Sequence, residues 1–217
     1  MTPMHSYSLF KGTRLLVATL LLGLGSGLAN GMAAPEWAPK IVVVAMFEPG
    51  EDTGDVPGEF QYWVEREHLE RVIPFPQGYR ALRMNREGTV LGIVTGVGTA
   101  RSAASIMALG SDPRFDLSKS FWLIAGIAGI DPHDGSIGSA VWAEWLVDGD
   151  LGHEIDIREA PADWPTGYIP LRKSTPYEMP RTPEDSSEVF RLNGALAEWA
   201  YQLTKHTPLL DTEGMAA

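Results

Sequence analysis

Three apolar runs rich in β-branched residues, two of them feeding directly into paired glycines, constrain this chain more than any other feature. Residues 41–47 read Ile-Val-Val-Val-Ala-Met-Phe, residues 90–95 read Val-Leu-Gly-Ile-Val-Thr, and residues 121–125 read Phe-Trp-Leu-Ile-Ala. Runs that are apolar almost throughout suit strands buried on both faces, as in a parallel sheet. The second run enters Gly96-Val97-Gly98, and the third enters Gly126-Ile127-Ala128-Gly129. A fourth strand is expected over 139–147, Ser-Ala-Val-Trp-Ala-Glu-Trp-Leu-Val.

Helical patterns fill some of the gaps. Thr99 is placed to cap a helix through about Leu109, with Gly110 as its stop and Asp112-Pro113 preventing continuation. Asp185 with Glu188 has the spacing of a capping box. Val189, Leu192, Leu196, Trp199, Ala200 and Leu203 then recur at helical steps until Thr207-Pro208. Residues 48–59 and 158–184 are rich in Gly, Pro, Asp and Glu and read as loops, the second long enough to suggest a functional excursion. Strands alternating with helices predict an α/β fold with a mixed, mainly parallel central sheet.

In such a sheet a small ligand binds outside the carboxyl ends of the strands. Here those ends supply Glu48, then Thr95, Gly96, Gly98 and Thr99, then Gly126, Ile127, Ala128 and Gly129. Glycine lets a ligand approach the main chain where a Cβ would hold it away. Two glycine pairs on neighbouring strand ends favour binding over mere turn formation. Glu48 is either a base that orients a water or an ordinary acid at a strand end. Arg101, near a helix start, either contacts a phosphate or pairs with an acid. Trp164 and Tyr168 lie in the long loop, where a ring either stacks on a base or anchors the loop to the core.

Other chemistries find less support. Gly96-Val97-Gly98-Thr99-Ala100-Arg101 is a weak dinucleotide pattern, because Arg101 stands at the last glycine position and no acidic residue follows to hold a ribose. Neither a phosphate-binding Walker loop nor a G-x-S-x-G elbow is present. The absence of cysteine removes disulfides, thiolate metal sites and cysteine nucleophiles together. His153, Glu154 and Asp156 lack the four-residue histidine spacing of a zinc helix, so no metal is expected. A formal charge of -11 argues against nucleic acid as partner.

Residues 1–34 read as a targeting segment. Lys11 and Arg14 precede the apolar run Leu15 to Leu24, and small residues follow through Gly31, Ala33 and Ala34. The run is too short for a membrane-spanning helix, which needs about 20 residues. Cleavage there would take the formal charge from -11 to -13 by removing Lys11 and Arg14, since no acid precedes Glu36. No later stretch is long and apolar enough to span a bilayer. The mature chain, 35–217, is therefore expected to be exported, periplasmic or extracellular, and soluble.

Several blocks resemble the purine nucleoside permease family. They are Lys40 to Glu48, Val94 to Ala100, Ile124 to Ile130, Ile137-Gly138-Ser139, Leu151 with His153 to Asp156, Gly167 to Pro170, and Glu188 to Asn193. The first three also resemble the wider nucleoside phosphorylase and nucleosidase superfamily, which implies an α/β/α sandwich that cleaves N-glycosidic bonds. On that resemblance Gly96 and Gly98 flank the phosphate or ribose pocket, and Gly126 and Gly129 lie along the purine. Glu48 falls close to the acid that positions the attacking water. Ile124 and Ile127 stand where phosphorylases place an arginine and a serine for phosphate, which weighs against phosphorolysis.

The resemblance also implies a Met-Glu pair for the ribose late in the chain. None follows the strands, so the chain is expected to be truncated at its C-terminus. Purine nucleoside is the expected ligand and no cofactor is expected; phosphate and a second copy of the chain stay open as partners. The function implied is nucleoside binding for uptake, with hydrolysis or phosphorolysis of the nucleoside as its accompanying chemistry. The alternative is a non-catalytic binding component that serves a separate membrane transporter.

Overall fold

A computed structural model describes residues 34–178 and 188–209 of the chain, so the expected targeting segment, save its last residue, lies outside the described residues. The chain forms two compact units, one ending at Ala128 and the other starting at Gly129. In the first, the elements run β1 (Ile41–Ala45), α1 (Gln61–Arg66), β2 (Arg71–Ile73), β3 (Leu82–Met84), β4 (Val90–Val94), α2 (Thr99–Gly110) and β5 (Phe121–Ile124). They build one five-stranded sheet in the order β2-β3-β4-β1-β5.

The apolar runs named above become β1, β4 and β5, and these are parallel neighbours with β1 in the middle. β2 and β3 extend the sheet as an antiparallel hairpin on β4. The sheet is therefore mixed, and the expectation of a mainly parallel one is corrected. Two of its four pairings are parallel, and both pairings in the second unit are antiparallel. The hairpin escapes periodicity because its strands have only three residues each.

Side-chain alternation sorts β1 and β4 between two cores. Val42, Val44, Leu91 and Ile93 join Leu109 of α2, with Leu82, Met84, Phe75 and Phe115. Ala45 and Val94 join Val64 of α1, with Phe60 and Leu69. Each such Val, Leu, Ile, Met or Phe side chain contributes about 1.5–3 kcal/mol by leaving water. Gly92 lies beneath this second core, and a Cβ there would meet Phe60 Cζ at 2.6 Å.

β5 departs from the reading of a strand buried on both faces. It is an edge strand on which Phe121, Trp122 and Ile124 are exposed. An apolar run states what a strand can bury, not whether the described residues cover it.

The second unit holds β6 (Trp145–Val147), β7 (Gly152–Glu154), β8 (Tyr168–Pro170), β9 (Val189–Arg191) and α3 (Gly194–Thr204). β6 pairs with β9 and β7 with β8. The strand expected over 139–147 is confined to its last three residues, since Ser136 to Ser139 form a turn with Gly138 at φ 91°.

The expected capping box is displaced as well. Asp185 lies outside the described residues, while Val189 falls in a strand and Asn193 caps the helix, its side chain accepting from Leu196 N–H at 3.2 Å. β-branched and aromatic side chains at 189 and 190 favour extended backbone, and Asn193-Gly194 is the stronger helix start. Among the described residues, no helix is long and apolar enough to cross a membrane.

Candidate functional site

The three parallel strands end level with one another. Thr95 N–H donates to Ala45 O at 2.9 Å, and Ala125 N–H donates to Val44 O at 2.9 Å. One edge of the first unit therefore gathers Met46 to Glu48, Thr95 to Thr99, and Gly126 to Ala128. The glycine turns are not on neighbouring strands as expected, because the connection from β4 to β5 passes over β1. Two strand spacings, about 10 Å, separate them.

At the β4 end, Gly96 and Gly98 take φ 84° and 97°, a region that glycine enters without strain. Thr95 is fully buried. Its hydroxyl bonds Gly96 O at 3.2 Å and Ser102 Oγ at 3.0 Å, while its carbonyl accepts from Ser105 Oγ at 2.9 Å. Thr95 thus supports the turn from inside. Gly98 takes the cap position of α2, one place before the cap expected at Thr99, and Thr99 is its first helical residue.

The ring of Tyr79 lies on Gly96, and the guanidinium of Arg101 sits 5.8 Å from the centroid of that ring. Tyr79 is a residue that sequence reasoning missed. Its only cue is an aromatic side chain between Gly78 and Arg80, which names no partner.

At the β1 end, Glu48 is only 4% exposed. Its Oε1 accepts from Gly58 N–H at 2.7 Å, and its Oε2 accepts from Phe60 N–H at 2.6 Å and Gln61 N–H at 2.8 Å. A carboxylate has about four lone-pair positions, so three are already committed to backbone donors at the start of α1. Arg80 reinforces the same corner, donating to Glu48 O at 2.7 Å and pairing with Asp52 at 3.2 Å. Arg83 pairs with the other oxygen of Asp52 at 2.7 Å.

A second carboxylate, also missed from sequence, crosses in the opposite direction. Glu59 Oε2 accepts from Met46 N–H at 2.8 Å and Phe47 N–H at 3.0 Å, and its Oε1 accepts from Ile127 N–H at 3.0 Å. The loop read over 48–59 is thereby fastened at both ends. Gly126 lies under these groups, and a Cβ there would meet Met46 Cε at 2.8 Å and Glu59 Oε1 at 3.3 Å. Ile127 and Ala128 are exposed.

Gly129 and Tyr168 belong to the second unit. Tyr168 is spent locally: its hydroxyl donates to Gly149 O at 2.9 Å, and its ring covers Gly152. Two open hollows of about 480 and 540 Å³ lie elsewhere, the first around Arg66 and His68, the second around Pro76 and Pro113. Neither includes a residue from the ends of β1, β4 or β5. The strand ends form an open ledge with a carboxylate along one part of it and a tyrosine along another.

The fold and this ledge define the class: a mixed α/β protein in which three parallel strands present their carboxyl ends together, the usual place for a small ligand. The particular family follows from comparison with known proteins. The family model for purine nucleoside permease (NUP) matches residues 38–217, and the chain belongs to that family.

A Schizosaccharomyces pombe protein named "Probable purine nucleoside permease" is 34% identical over 146 residues, covering 64% of this chain and 42% of its own length. A Candida albicans protein named "Purine nucleoside permease" is 30% identical over 184 residues, covering 83% of this chain and 44% of its own. The chain thus spans less than half the length of these relatives. No solved structure matches it.

Proposed function

We propose that the chain binds a purine nucleoside on the ledge formed by the ends of β4, β1 and β5, and that it serves nucleoside uptake as an exported member of its family. The observation that carries this reading is the joint opening of three parallel strand ends, with glycines at Gly96 and Gly126, inside the segment that matches the family. Tyr79 and Arg101 offer an aromatic face and a cation beside Gly96. A neutral, flat ligand suits an acidic chain with few free charges at this edge.

Cleavage of the N-glycosidic bond belongs to the same proposal, supported by the resemblance of Val94 to Ala100 and Ile124 to Ile130 to the phosphorylase and nucleosidase superfamily. The commitment of Glu48 to three backbone donors favours the second reading, a binding component that passes nucleosides to a separate transporter without turning them over. Purified protein titrated with adenosine or guanosine tests the binding. A ligand that binds only the folded state adds about 2.7 kcal/mol of stability at a hundred times its Kd, so the melting temperature rises. An unchanged melting temperature at millimolar nucleoside refutes it. Release of free purine, measured with and without phosphate, separates hydrolysis, phosphorolysis and binding alone.

A further inference from the structure

The backbone N–H groups of Met46, Phe47 and Ile127 point out of the sheet just beyond β1 and β5, where a parallel sheet offers its donors to a ligand. All three donate to one side chain of the same chain, the carboxylate of Glu59, at 2.8, 3.0 and 3.0 Å. Donors converging on one point form a cradle for an anion, and the cradle is filled from within.

We propose that Glu59 is a built-in anion of the nucleoside ledge, a positioning residue with two effects. It ties the end of β1 to the end of β5, across 13 and 68 residues of chain, so that Gly126 keeps its place beside Met46. It also denies those donors to any external anion, so the ledge takes an uncharged nucleoside and turns away inorganic phosphate and nucleoside phosphates. The charges around it agree with this. Glu48, twelve residues of chain from Phe60 and bonded to it, adds a second negative group at the same loop. The cations Arg80 and Arg83 are both held by the one carboxylate of Asp52, which offsets one of their two charges, and Arg101 lies at the β4 end against Tyr79. A phosphate entering the cradle would have to displace a carboxylate that makes three charge-assisted hydrogen bonds.

The proposal rests on the nucleoside reading for its choice of ligand, but not for the cradle itself. The test uses the full chain, its Glu59→Ala and Glu59→Gln variants, and three probes: adenosine, adenosine 5′-monophosphate and inorganic phosphate. Wild type is expected to answer adenosine in melting temperature and to ignore millimolar phosphate. In Glu59→Gln the amide cannot accept from all three donors, so phosphate binding should appear. The preference for adenosine over its monophosphate should then fall about tenfold, the scale of one charged hydrogen bond.

Amide resonances of Met46, Phe47 and Ile127 should move with phosphate in the variants and stay still in wild type. Their movement in wild type overturns the proposal, whether or not either variant folds. Folded variants that stay silent to phosphate overturn it as well. Phosphate binding gained by the variants together with no adenosine response in wild type supports the cradle and refutes the nucleoside reading, so the two failures are told apart.

Discussion

The backbone N–H of Phe60 donates to Glu48 Oε2 at 2.6 Å, joining the end of β1 to the start of α1 across twelve residues of chain. With Gly58 and Gln61 it makes Glu48 the organiser of the loop between them. Glu48→Ala would leave three donors without their acceptor, each worth about 1–3 kcal/mol when buried, so a loss of about 3 kcal/mol is expected after water enters the gap. Glu48→Gln keeps one acceptor oxygen and should cost less. Urea unfolding of both variants checks this. Full stability in Glu48→Ala would show that the loop is held by something else and would free Glu48 for chemistry at the strand end.

Phe60 also covers Gly92, in the middle of β4. Gly92→Ala would put its Cβ at 2.6 and 2.7 Å from ring atoms of Phe60 and at 3.0 Å from Leu69 Cδ1. Overpacking of this kind costs about 1–3 kcal/mol. Because the clash is with one ring, Phe60→Leu in the same chain should recover part of the loss, and a double-mutant cycle measures the coupling. Additive losses would refute the contact.

Gly96 and Gly98 give a paired test of the turn at the end of β4. Both have positive φ, so an alanine at either costs about 1–2 kcal/mol of backbone strain. Only Gly96 is crowded: a Cβ there would lie 3.0 and 3.1 Å from ring atoms of Tyr79, whereas a Cβ at Gly98 would meet nothing within 4 Å. Gly96→Ala should therefore lose more stability than Gly98→Ala and displace the Tyr79 ring from the ledge. Tyrosine fluorescence is obscured by tryptophan, so proton resonances of the Tyr79 ring provide the readout. Equal losses with an unmoved ring would refute the packing of Tyr79 on Gly96.

The strands that carry the ledge were legible because Val, Ile and Leu dominate their sequence and glycine or glutamate follows at each end. Helix α2 was legible from Thr99 at one end, one place past its actual cap, and from Gly110 at the other. What escaped was short or long-range. The six residues of α1 are too few for an apolar stripe to show, and β2 and β3 lie among Pro74, Pro76 and charged arginines. Glu59 looks like any loop acid, since its partners are twelve or more residues away and one of them follows β5. Hydrophobic period reports what a segment buries; it does not report which backbone donors a carboxylate will reach.

Asp112 and Arg114 close the turn after α2, and their pairing makes this turn sensitive to acid. Arg114 donates through Nε to Asp112 Oδ1 at 3.0 Å and through its terminal nitrogen to Oδ2 at 2.6 Å, and it also reaches Pro74 O at 3.0 Å. The hydrogen bonds from the Arg114 side chain hold the Asp112 carboxyl below its ordinary value, against burial, which pushes the other way. A carboxyl lowered in the folded state binds its proton more readily when unfolded. Its stabilisation is therefore complete above the unfolded value of about 3.9 and fades as pH falls through the lower, folded value. Asp112→Asn should melt below wild type at pH 7, and the gap should narrow as pH is taken below about 4. Melting curves of both proteins between neutral and acid pH check the sign, and a gap that widens in acid would refute the assignment.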